Sequence, residues 1–189
     1  MTSRIPIIPT IIVVAAIITM IGLGIWQLGR MDEKEAMLAA YSEATQEIDT
    51  VPFPISGEGK DVWFRQSTIE CVDVTNIETV AGTSDKGQKG WAQRATCAVG
   101  ENSTVLVDLG YSRSLQTPQW TGGTVAGVIA PGPRLVANPP QAGLQPLAKP
   151  DPSSLPNNHL AYAGQWFFFA LTALLIYGFA VRSRIRKKD

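Results

Sequence analysis

Two apolar runs at opposite ends of the chain decide most of what it can fold into. Ile5 to Trp26 and Leu160 to Val181 each hold 22 residues without a charged side chain. A helix of that length is about 33 Å long, against a bilayer hydrocarbon core of roughly 30 Å. Each run therefore predicts a membrane-spanning helix. A secretory signal peptide also starts with a basic patch and an apolar stretch. Its apolar core is shorter, about 7–15 residues, and ends in a small-residue cleavage site. No Ala-x-Ala follows Trp26, so the first run reads as an uncleaved anchor. The expected layout is a cytoplasmic N-terminus (1–4), a membrane helix (5–26), a helical extension (27–50), a β domain (51–130), a Pro-rich connector (131–158), a second membrane helix (159–181) and a basic tail (182–189). The predicted fold class is a membrane protein with two transmembrane α-helices flanking one outward-facing small antiparallel β domain, α+β overall.

Net charge is zero over 189 residues, but its distribution is uneven. Arg4 and the tail residues Arg182, Arg184, Arg186, Lys187 and Lys188 face only Asp189, leaving the middle of the chain acidic. The positive-inside rule places both termini in the cytoplasm. The middle then faces the periplasm from a bacterial inner (plasma) membrane, or the intermembrane space from a mitochondrial inner membrane. An acidic outward domain gives no reason to expect nucleic acid as a partner; the expected surroundings are the lipid bilayer.

Beyond Trp26 the chain keeps good helix formers and no proline as far as Tyr41, so the first helix is expected to run on to about Ser42. Leu28, Met31, Leu38 and Tyr41 are near helical spacing and are expected to pack on the domain. From Pro52 the composition shifts to short β-branched and aromatic stretches, at 62–74, 90–99, 104–109 and 124–130, separated by Gly, Asn and Ser. Recurrent proline from Pro131 to Pro156 predicts an extended connector wrapping the domain. Cys71 and Cys97 flank a turn-rich stretch centred on Ser84. Strands folding back about that turn would bring them together as a disulfide, which an outward compartment permits; the alternative is two buried thiols.

Catalytic constellations are hard to find. The only histidine is His159, at the mouth of the second apolar run, so no Ser-His-Asp or Cys-His set can form within the domain. Two cysteines 26 apart without a histidine partner do not make a structural zinc site. Candidate chemistry therefore falls to the membrane edges. On the first helix Trp26, Arg30 and Lys34 are four apart, with Gln27 beside them; like charges at that spacing repel by about 0.2–0.5 kcal/mol, which an anion would relieve. The alternative is ordinary interfacial anchoring. On the second, Asn157 or Asn158 can cap the helix, and His159, Tyr162 and Trp166 share a face with Gln165 nearby. Ala161, Ala163 and Gly164 permit close helix contact. A neutral imidazole at His159 can ligate heme iron; the alternative is a histidine hydrogen-bonded to water or to the domain.

Two of these stretches resemble a known family. Gly24-Ile-Trp-Gln-Leu-Gly-Arg30-Met-Asp-Glu-Lys34 is similar to the hallmark ending the first span of the surfeit-locus-one (Shy-one) family of cytochrome c oxidase assembly proteins. Asn158-His-Leu-Ala-Tyr-Ala-Gly-Gln-Trp-Phe167 is similar to its second hallmark, at the start of the last span. Thr104-Val-Leu-Val-Asp-Leu-Gly-Tyr111, with Gly90-Trp91, resembles the family's central strand, usually Val-Leu-Val-(Asn/Asp)-Arg-Gly-Trp. Here Leu109 replaces the Arg and Tyr111 the Trp. The resemblance implies a non-enzymatic assembly factor that binds heme a, stably or in passing, and assists its insertion into the catalytic subunit of cytochrome c oxidase. His159 would be the heme-iron ligand, with Trp26, Gln27, Arg30, Tyr162, Gln165 and Trp166 at other motif positions. Contact between Arg30 and Lys34 and the heme propionates is added from charge alone. Heme a synthase is a further expected partner. Competing expectations are a scaffold that contacts the oxidase subunit without heme, and an enzyme acting on heme or lipid.

Overall fold

The computed structural model describes residues 6–100 and 103–186. The expected N-terminal segment 1–4, the first residue of the first span and tail residues 187–189 lie outside them. Two compact units emerge: one holds the two long helices outside residues 38–155, the other spans Leu38–Leu155.

Helix α1 covers Ile7–Ala44 and α2 covers His159–Arg186, and both are long and apolar enough to cross a membrane. At 38 residues α1 is about 57 Å long, well beyond a hydrocarbon core. It is continuous because nothing after Pro9 breaks it, and Pro9 itself lies in the first turn, where its missing N–H has no partner to lose. Within the helical unit one set of half-buried and buried residues falls at alternating steps of three and four. They are Thr10, Val13, Ile17, Met20, Gly24 and Gln27 on α1, and His159, Ala163, Trp166, Ala170, Ala173 and Tyr177 on α2. That 3.5-residue repeat is the seam of two packed helices. Apart from half-buried Leu23 and Leu28, the remaining Ile, Leu and Phe side chains of this unit are exposed, as a lipid-facing surface requires.

The second unit begins with the last turns of α1, where Tyr41 is buried against Phe64 (5.1 Å between ring centroids) and Trp63 (5.8 Å). Its seven strands are β1 (Thr50–Val51), β2 (Gln66–Cys71), β3 (Asp73–Thr83), β4 (Lys89–Gly100), β5 (Ser103–Ser112), β6 (Gly123–Ala130) and β7 (Arg134–Ala137). They form one sheet in the order β1-β2-β6-β7-β5-β4-β3. Only Val72 separates β2 from β3, and its N–H donates to Ala98 O at 2.9 Å. One run of chain thus supplies strands at both sides of the sheet, which curls back on itself around an apolar interior. Ile69, Val107, Leu109, Val125, Ile129 and Leu135 lie in that core.

The α+β class stands, but the sheet is mixed rather than purely antiparallel: β1 runs parallel to β2, and β7 parallel to β5. The reason is β7, which lies inside the segment expected to be a connector without regular structure. Four residues, Arg-Leu-Val-Ala, are too few to show a period. A tight turn after β6 nevertheless sends them back antiparallel to it, into the gap between β6 and β5. The rest of the segment does wrap the sheet. Tyr111 and Gln145 exchange two backbone hydrogen bonds (2.7 and 3.1 Å), and Ala148 N–H donates to Thr83 O at 2.9 Å.

Candidate functional site

The expected membrane-edge residues belong to the helical unit, where α1 and α2 run antiparallel. At one end of the pair the Thr10 and Tyr177 hydroxyls are hydrogen-bonded. Further along, the Phe167 ring covers Gly24, where an added Cβ would come within 2.5 Å of Phe167 Cε1. At the other end His159 Nδ1 lies 2.8 Å from Gln27 Oε1. A carbonyl oxygen can only accept, so Nδ1–H donates and the Nε2 lone pair is left for a ligand. Gln27, expected beside the cationic face and at a motif position, is the residue that orients the imidazole.

The other predicted residues divide. Trp166 is half-buried on the seam and stacks edge-on against Phe169 at 6.3 Å. Trp26, Tyr162 and Gln165 are exposed. Tyr162, three residues after His159 and four before Trp166, lies on the same side of α2 but at the edge of the seam, where it is exposed rather than packed. Arg30 is exposed and ion-paired with Glu33, while Lys34 is half-buried. Glu33 thus answers part of the charge on the cationic face from within the same helix, so an outside anion is not required to balance it. The expected side-chain cap of α2 is not formed. The Asn158 carbonyl accepts from Tyr162 N–H at 3.2 Å, as a first helical bond, and Asn157 Oδ1 is buried without a partner among the described residues.

Cys71 and Cys97 are joined, with Cα atoms 5.2 Å apart. The turn was placed correctly, since β3 and β4 fold back between Thr83 and Lys89. The two cysteines are not a register pair: Val74 faces Cys97, and Cys71 lies on β2, across the bend at Val72 from β3. The bond therefore fastens the place where the two sides of the sheet meet.

A second cluster sits on the outer face of the sheet. Asp108 on β5 is buried and takes Arg94 Nε at 2.6 Å, Arg94 Nη2 at 3.2 Å and Arg134 Nε at 2.9 Å. Its bond to Asp108 holds the Arg94 guanidinium above its ordinary pKa. Arg134 Nη1 also donates to Pro131 O. Sequence reasoning missed this cluster, although Asp108 was part of a quoted motif; the clue was a lone acid at alternate spacing within an apolar strand. The same strand explains Leu109. It is fully buried in the core, where an arginine would be a charge without a partner.

Two helices long and apolar enough to cross a membrane, a curled mixed sheet between them in sequence and an imidazole held at the end of the helix pair are consistent with a membrane-anchored domain. The family model described as the SURF1 family matches residues 14–149, most of the chain, and the protein belongs to that family. The family is associated with cytochrome c oxidase assembly and is one of assembly factors, not a known class of enzymes. The match takes in the first hallmark and the sheet and ends ten residues before His159. Comparison with curated proteins finds no match.

Proposed function

We propose that this protein is an oxidase assembly factor that binds heme a through His159 and assists its insertion into the catalytic subunit, with heme a synthase as a further partner. The observation that carries the reading is the bond between Gln27 Oε1 and His159 Nδ1, which fixes the tautomer and orients the ring with Nε2 free. Histidine ligands are commonly held in this way by a partner on the other nitrogen. The donor set fits the group: one imidazole for iron, Lys34 and Arg30 for carboxylates, and exposed Trp26 and Tyr162 as aromatic surface. Asn157 Oδ1, two residues before His159, adds a buried acceptor in need of a donor. Heme a supplies an iron that accepts an imidazole nitrogen; the protein's part is to hold and release it, so one strong ligand suits the task better than two. Disulfide formation in the sheet domain and the basic C-terminal end of α2 both support a central domain facing the periplasm or intermembrane space.

The test is the reduced absorption spectrum of protein purified in mild detergent from cells that make heme a. Wild type should show a heme a band that His159→Ala loses or shifts. Gln27→Leu should keep a weakened band, since loss of an outer partner costs about 10–100-fold in affinity. Identical spectra in wild type and His159→Ala would defeat the ligand assignment. No heme in any of them, with oxidase assembly still dependent on the protein, would favour the scaffold.

A further inference from the structure

The wrapping segment does not lie flat on the sheet. Between it and the outer face of β3, β4, β5 and β7 is a cleft of about 530 Å³. That is within the roughly 300–1,000 Å³ range of small-molecule sites. Ala92, Val136 and Leu147 give it apolar walls; Arg94, Asp108 and Arg134 lie on the sheet side, with Lys149 and Asp151 on the wrapping segment.

The polar groups are not balanced for self-sufficiency. Asp108 spends its oxygens on three guanidinium N–H groups. Asp151 Oδ1 accepts from Ser153 N–H at 2.8 Å. Glu78 stands opposite Arg94 across the β3–β4 pair but does not line the cleft. Arg94 uses Nε and Nη2 on Asp108, and Arg134 uses Nε on Asp108 and Nη1 on Pro131 O. Among the described residues, Arg94 Nη1, Arg134 Nη2 and the Lys149 ammonium remain as donors. Two guanidiniums pinned by a shared buried carboxylate are already ordered, so a ligand meets them without first freezing their rotamers. A charged donor surplus beside apolar walls suits an anion carried on a small carbon skeleton.

We propose that this cleft binds a small anionic ligand by its carboxylate or phosphate group, held by Arg94, Arg134 and Lys149. The site lies wholly within the sheet domain and does not depend on the heme reading.

Isothermal titration of the full chain in non-ionic detergent, with succinate, inorganic phosphate and a Glu-rich peptide as separate probes, tests it. Saturable binding of succinate or phosphate is expected, the tighter of the two naming the anion. Arg134→Gln should weaken it about tenfold, the loss of one charge-assisted bond. Lys149→Gln, on the wrapping segment, should weaken it about threefold without touching the Asp108 cluster, and so keeps the test valid if Arg134→Gln fails to fold. Arg113→Gln, an exposed cation bonded to Gln88, should leave it unchanged. No saturation by either small anion below about 20 mM, or affinities indifferent to Arg134 and Lys149, would overturn the proposal. So would binding of the Glu-rich peptide alone, which would make the cleft a protein-docking site.

Discussion

Asp108 is the residue whose neutralisation should hurt the sheet domain most per atom changed. Its side chain is 6% exposed and accepts three charged hydrogen bonds. Asp108→Asn keeps the shape but turns one acceptor into an N–H₂ that faces guanidinium N–H groups, donor against donor. Breaking a buried ion pair by removing one partner costs about 3–5 kcal/mol. The arginine side chains are 21% and 31% exposed, so water recovers part of this, and about 2–4 kcal/mol remains. For a domain of this size that is a fall in Tm of about 12 °C. Scanning calorimetry of the detergent-solubilised chain reads it, because the apolar helices stay folded in the micelle. The triple replacement Arg94→Met, Asp108→Leu, Arg134→Met removes every member together and should recover most of the loss. An Asp108→Asn protein melting within about 2 °C of wild type would refute the argument that the carboxylate is sequestered and fully engaged.

Three further outcomes can be checked independently. Closing a loop of 26 residues by the Cys71–Cys97 bond restricts the unfolded chain by about 3.5 kcal/mol, so the Cys71→Ala, Cys97→Ala protein should lose roughly that stability, and denatured, unreduced wild type should titrate no free thiol. The backbone N–H of Ser153, then its side chain, hold the Asp151 carboxyl below its usual pKa. A depressed folded pKa gives stability that is present above the unfolded value, about 3.9, and lost as pH falls through the folded one, so protection of the Ser153 amide, its exchange rate relative to the intrinsic rate at each pH, should fall in that acid window and show no such step in Asp151→Asn. Tyr177→Phe removes the hydroxyl bond to Thr10 and should weaken helix pairing by about 0.6 kcal/mol, measured by steric trapping in bilayers.

What could be read from the chain alone followed the strength of its periodicities. Two long uninterrupted apolar runs announce two helices, and the absence of proline after Pro9 announces that the first outlasts the membrane. Alternating apolar residues announce β5 and β6, and the turn about Ser84 announces the β3–β4 hairpin. The failures are cases where partners far apart in sequence decide. Arg134–Ala137 becomes a strand only because β5 and β6 leave a slot between them. Arg94, Asp108 and Arg134 look like scattered surface charges until the register sets Arg94 against Asp108 and brings β7 alongside. His159 was found by its uniqueness, yet the residue that orients it is 132 positions away, and only the antiparallel helix pair brings Gln27 to it.

The bend at Val72 also sets an order for making the protein. The β3–β4 hairpin, the Val72–Ala98 hydrogen bond and the covalent link, three of the contacts that fasten it, lie between residues 66 and 100. An oxidant can therefore lock this bend before β5, β6 and β7 have joined the sheet. The later strands then add to a template already curved, and β7, the last to arrive, slots in as the keystone. A chain kept reduced would instead leave its strand edges open for longer, which makes timely oxidation a condition of yield as well as of stability.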